Sequence, residues 1–147
     1  MKAIAYNIKS EEKECLVLAN HKKHDITIIA NSLCFETLAY AQGKEALIVF
    51  NEDPLDEKLI KGLKAMGIKY IATSTSSINN IDLDALVKYG IKLANVPLKA
   101  SEPLALDRMH QIVDNLDKWA SGVCLGEACC HPVPCENKPS QIKTRLC

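Results

Sequence analysis

Residues 67–97, GIKYIATSTSSINNIDLDALVKYGIKLANVP, decide the fold of this chain. Residues 68–72 (IKYIA) form the short, mostly apolar run of a buried strand. Residues 73–80 hold one large apolar side chain, Ile78, and read as a loop. Residues 82–89 then place Leu83, Leu86 and Val87 at helical spacing, and Gly90 stands where a left-handed residue ends a helix. A second strand occupies residues 93–96, and Pro97 stops it. Two apolar strands joined by a helix make a right-handed βαβ crossover, the unit of a parallel sheet. Ligands of such sheets gather beyond the carboxyl ends of the strands. Here those ends are residues 74–78 and 98–100.

The same alternation extends toward the N-terminus. Residues 3–8 read as a strand, followed by a helix with Ser10 as N-cap, Glu11 and Glu12 in its first turn, and Cys15, Leu16, Leu18 and Ala19 on one side. The charged sequence His21-Lys22-Lys23-His24 reads as a solvated turn. Residues 25–30 (DITIIA) are a strand, 36–42 a short helix stopped by Gly43, 46–50 (ALIVF) a strand covered on both faces, and 56–66 a helix stopped by Gly67. Five β units alternating with helices define an α/β domain, an open parallel sheet with helices on both faces. Residues 104–120 form one further amphipathic helix, with Met109, Ile112, Val113, Leu116 and Trp119 on a common face.

Composition excludes several classes of function. Of 147 residues, 48% are apolar and 24% charged, with zero formal net charge, which argues for a packed core and against nucleic-acid or acidic-membrane partners. No apolar run approaches the ~20 residues that a membrane span needs. The opening MKAIAYNIKSEEKE becomes charged too early for a secretory signal, so a cytoplasmic location is expected.

The order IKYIAT, NNID, KYGIKLANVP resembles the D-isomer-specific 2-hydroxyacid dehydrogenases, most closely the bacterial D-lactate dehydrogenases. The resemblance implies a flavodoxin-like strand order and places this region in the family's substrate-binding domain. The segment Asn115-Leu116-Asp117-Lys118-Trp119, followed by Gly122, is similar to the family's last helix, which returns from the cofactor domain to the substrate domain. The chain therefore reads as residues 1–122, a substrate domain with its returning helix at 104–120, joined directly near residues 100–103 with the cofactor domain missing, and then a Cys-rich tail at 123–147. Of Gly43, Gly62, Gly67, Gly90, Gly122 and Gly126, no two lie two apart, so no Gly-rich turn cradles a pyrophosphate. The family uses NAD; no cofactor is expected in this chain.

The family's catalytic His, its acidic partner and its carboxylate-binding Arg lie in or beside the cofactor domain, and no residue here takes their place. His110, between Asp107 and Asp114, reads as a surface histidine beside solvated carboxylates. In the family, backbone N–H groups around a loop glycine grip the substrate carboxylate. Here Ser76 and Ser77 occupy that place, Asn79 replaces an aspartate and Lys99 an aromatic. Ser76, Ser77 and Lys99 are thus the candidate substrate-binding residues, set against ordinary polar loops on a solvent-exposed rim.

The tail, CLGEACCHPVPCENKPSQIKTRLC, supplies soft ligands: Cys124, Cys129, Cys130, His131 and Cys135 are candidates for zinc or an iron–sulfur centre. It contains no C-x-x-C, and the vicinal pair Cys129-Cys130 suits a single ion poorly. Pro132, Pro134 and Pro139 favour an extended segment, so a flexible thiol-rich tail and a redox switch stay open beside the metal site. Deletion from Cys124 onward is expected to leave the melting temperature nearly unchanged. Three functions are compatible with the whole: a non-catalytic binding or regulatory module, with a small 2-hydroxy or 2-oxo acid as its ligand; half of an oxidoreductase completed by a cofactor-domain chain or full-length dehydrogenase; and a metal- or redox-responsive protein acting through its tail.

Overall fold

The structure, a computed structural model, describes residues 1–50, 54–97 and 104–130. Strand β1 (Lys2–Tyr6) leads into helix α1 (Ser10–Asn20) and strand β2 (Asp25–Ile28). A 3-10 helix (Phe35–Ala41), β3 (Ala46–Val49), α2 (Glu57–Met66), β4 (Tyr70–Thr73), α3 (Leu83–Tyr89) and β5 (Lys92–Ala94) follow. Helix α4 (Ala105–Ala120) and a 3-10 turn (Gly126–Ala128) complete the described elements. All paired strands are parallel, in the order β2-β1-β3-β4-β5, as the flavodoxin-like expectation requires.

Local signals set most element ends. Asp56 and Asp82 cap α2 and α3, their carboxylates accepting from Leu59 N–H at 2.8 Å and Ala85 N–H at 3.0 Å. Gly67 and Gly90 end the same helices at φ +106° and +67°, in the left-handed region that favours glycine. Two details differ from expectation. The N-cap of α1 is Lys9, not Ser10: Lys9 is extended, and its N–H donates to the Glu12 carboxylate at 3.3 Å. The short helix at 36–42 is a 3-10 helix, because Thr37 fixes its first turn. The Thr37 hydroxyl donates to Ser32 C=O at 2.7 Å and accepts from Cys34 N–H at 3.0 Å.

The sheet divides the core by side-chain size. Alternate residues point to opposite faces. Ile4, Tyr6, Leu47, Val49, Ile71 and Leu93 face the side covered by α2, α3 and the first 3-10 helix. Ala3, Ala5, Ala46, Ala72 and Ala94 face α1 and α4, with Ile48 as a larger buried strand residue beside them. That alanine face lets the large α4 side chains Met109, Ile112, Leu116 and Trp119 settle close to the strands, with Trp119 stacked on Tyr70 at 4.8 Å between ring centres.

Packing continues beyond the expected boundary at residue 122. Leu125, Ala128, Cys129 and Cys130 are buried. Residues 128–130 lie along β5: Asn95 N–H donates to Ala128 C=O, Cys130 N–H donates to Leu93 C=O, both at 3.0 Å, and Ala94 and Cys129 form an antiparallel bridge. The first part of the expected tail is therefore an edge cover for the sheet, which protects β5 from pairing with other chains.

The turn at residues 21–24 also differs from expectation. His24 is buried, and its Nε2 lies 2.7 Å from the Asp117 carboxylate of α4, while Lys23 reaches the other oxygen at 3.3 Å. Nothing in the local sequence shows this, since Asp117 is distant in the chain. Lys88–Glu57 and Lys118–Asp114 are exposed pairs of small energetic weight.

Candidate functional site at the carboxyl ends of β4 and β5

Ser76 and Ser77 lie in the loop that leaves β4, and both are half-buried. The loop is pinned beneath them: Ser74 N–H donates to Val49 C=O at 3.0 Å, and its hydroxyl donates to Phe50 C=O at 3.3 Å. The next three carbonyls are tied as well. Thr75 C=O accepts from Val96 N–H at 3.1 Å and from the Thr73 hydroxyl at 2.8 Å. Ser76 C=O accepts from the Asn95 side-chain amide at 2.9 Å, and Ser77 C=O from the Thr75 hydroxyl at 3.2 Å.

Those bonds decide where the donors point. In a planar trans peptide the carbonyl of one residue and the N–H of the next are directed oppositely, and this chain has no cis peptide among its described residues. With the carbonyls of residues 75–77 held by their donors, the N–H groups of Ser76, Ser77 and Ile78 are turned the other way. Among the described residues these three N–H groups donate to no acceptor. These three backbone donors are available to an anionic acceptor, for which charge-assisted hydrogen bonds are the stronger kind. The loop at 73–78 has no ionisable side chain, so backbone dipoles and the two serine hydroxyls supply its field.

The three sequence candidates are not all placed together. Ser76 and Ser77 share the turn; Lys99 lies outside the described residues, as does the junction near residues 100–103. The residue overlooked in the sequence is Asn95, which clamps Ser76 from just past the end of β5. Its neighbour Asn115 was overlooked as well, although an asparagine between Ile112 and Trp119 on the apolar stripe is a readable signal. At the end of β1, Tyr6 is buried and donates to Thr37 C=O at 2.7 Å. Its hydroxyl is pushed up to about 12, chiefly by burial and secondarily by Cys34 and Tyr40 nearby. His110 is exposed on α4.

The described metal candidates diverge. Cys129 packs with the α1 and α4 side of the core, Cys130 with the α2 and α3 side, and Cys124 is half-buried. His131 and Cys135 lie outside the described residues. No cluster of three or more metal-binding side chains occurs among the described residues. Nor is any described helix long and apolar enough to cross a membrane.

Residues 3–127 match the D-isomer specific 2-hydroxyacid dehydrogenase family, catalytic domain. The chain belongs to this family. An aromatic 2-oxoacid reductase of Clostridium sporogenes is 33% identical over 98 residues, covering 66% of this chain and 30% of that protein. The apo-structure of D-lactate dehydrogenase from Escherichia coli superposes with a TM-score of 0.65 at 32% identity, over 68% of this chain and 32% of that one. The structure of D-2-hydroxyisocaproate dehydrogenase superposes with a TM-score of 0.62 at 25% identity over 83% of this chain and 39% of that one. The chain thus spans roughly a third of the length of the family members it matches.

The family's cofactor is NAD, and the described residues do not fit it. A pyrophosphate needs a glycine turn opening a helix after a strand. Gly67, Gly90 and Gly122 instead follow helices, Gly43 follows the first 3-10 helix, and Gly62 lies inside α2 against Leu38. The β1-to-α1 connection is Asn7-Ile8-Lys9.

Proposed function

We propose that this domain binds small 2-oxo or 2-hydroxy acids through their carboxylate and does not transfer hydride by itself. The observation that carries the proposal is the set of tied carbonyls at residues 75–77, which leaves three consecutive N–H groups without an acceptor among the described residues. A carboxylate oxygen suits such a site because charge-assisted hydrogen bonds are about twice as strong as neutral ones. Serine at positions 76 and 77 in place of glycine adds two hydroxyl donors and narrows the approach. The ligand would be a short-chain acid, held without formal charge from residues 73–78.

Titration of the 15N-labelled full chain with pyruvate and phenylpyruvate tests this. Saturable shifts of the Ser76 and Ser77 amides by the acids, absent with the methyl esters, are expected. Equal response to acid and ester would overturn carboxylate binding.

A second reading, half of a split NAD-dependent oxidoreductase, is favoured by one feature. At the start of α4, Leu104 is 73% exposed and Leu106 38% exposed, next to the segment where a cofactor domain would be inserted. On that reading, adding a separately made family cofactor domain would restore 2-oxo acid reduction by NADH, with Leu104→Glu lowering it. No activity from the mixture would count against it.

A further inference from the structure

Asn115 is fully buried in the middle of α4, among the apolar side chains that cover the sheet. A polar amide there needs a reason, because burial of its donor and acceptor without partners is unfavourable. Its partners form a chain. Gln111 donates to Asn115 Oδ1 at 2.9 Å, and Asn115 Nδ2 donates to the Asn95 backbone carbonyl at 3.3 Å. Asn95 Nδ2 in turn donates to Ser76 C=O at 2.9 Å. The orientation of the Asn95 amide is fixed by that carbonyl, since a flipped amide would face it with oxygen. Asn95 Oδ1 is then left buried with no partner among the described residues. Asn95 is 4% exposed, so its amide is held by the protein and not by solvent.

We propose that Asn95 and Asn115 are positioning residues for the anion-binding turn. Helix α4 reaches through Asn115 to the backbone of Asn95, and Asn95 sets the plane of the Ser76–Ser77 peptide. That plane directs the Ser77 N–H, the middle of the three donors. The last helix therefore holds the turn in its binding geometry as well as covering the sheet. The inference rests on the carboxylate-binding reading for its purpose, but its geometry can be tested without ligand.

The test uses the 15N-labelled full chain carrying Asn115→Leu, which matches the surrounding apolar stripe, and Asn115→Ser, which adds no volume. Asp114→Ala, on the exposed side of α4, serves as control. Both Asn115 variants are expected to keep the global fold while the Ser76, Ser77 and Ile78 amide resonances move and their order parameters fall. Pyruvate affinity should weaken by about tenfold, and Asp114→Ala should change neither. Folded Asn115 variants with loop resonances at wild-type positions would overturn the proposal. Wild-type protein that binds no carboxylate would overturn the binding reading instead, and the loop resonances would still decide whether Asn115 positions the turn.

Discussion

Single side chains here have effects that depend on what faces them. Tyr6 is 1% exposed, and burial is the main cause of its hydroxyl being pushed up to about 12 from 10. The folded state therefore disfavours ionisation that the unfolded chain undergoes first. Stability from this group is full below pH 10 and declines as pH rises from about 10 to about 12. Tyr6→Phe loses the bond to Thr37 C=O, worth about 0.5–1.5 kcal/mol near neutrality, but removes that decline. Urea unfolding at neutral and at alkaline pH should show the gap between wild type and variant closing as pH rises. A constant gap would show that Tyr6 titrates alike in the folded and the unfolded chain. The thiols sort by the same logic of burial. Cys129 and Cys130 are 4% and 6% exposed, so in the native protein a thiol reagent should label Cys15, Cys34 and Cys124 well before this pair. Peptide mapping after a brief exposure measures the order, and early labelling of Cys129 would place residues 128–130 off the sheet.

Between elements, the informative contrast is where the chain may be shortened. Residues from Cys124 onward were expected to be dispensable for stability. Leu125 is 5% exposed and contributes about 1.5–3 kcal/mol as a buried leucine. Residues 128–130 also cover the β5 edge. Truncation after Gly122 should therefore lower the melting temperature by roughly 5–10 °C, taking about 2–4 °C per kcal/mol for a chain of this size, and promote association through the uncovered strand. Truncation after Cys130 keeps all of these contacts, and calorimetry on the two proteins compares them directly. Equal melting temperatures would show that the edge cover adds nothing. Removing α4 is more severe. Met109, Ile112, Leu116 and Trp119 cover the alanine face, and losing several such side chains approaches the total stability of about 5–15 kcal/mol expected of a domain. Deletion from Leu104 should yield aggregated or unfolded protein by circular dichroism.

As a whole molecule, the chain keeps a substrate-domain fold without a described site for the family's nucleotide. The isolated protein should show no saturable NADH fluorescence change at micromolar concentrations, because backbone N–H groups at a helix N-terminus provide much of nucleotide affinity. Saturable binding would mean that the nucleotide is held by another arrangement altogether.

What the sequence alone determined was the fold. The apolar strand runs, the helical spacing of apolar residues and the stops at Gly67 and Gly90 are local, and each strand lies within two residues of its expected limits. The loop at residues 74–78 was legible as a strand end of a parallel sheet, and the family resemblance singled out Ser76 and Ser77 within it. What only the tertiary structure decided involves partners distant in the chain. His24 is buried because Asp117 meets it across the α1–α4 contact. Cys129 and Cys130 are core thiols because β5 has an edge to cover. Asn115 belongs to the candidate site because folding brings α4 against β5, and Asn95 joins the two. Hydrogen bonds between residues some 20 to 93 positions apart leave no periodicity in the chain. A buried amide or imidazole acquires its meaning from the group that satisfies it, and that group is set by packing.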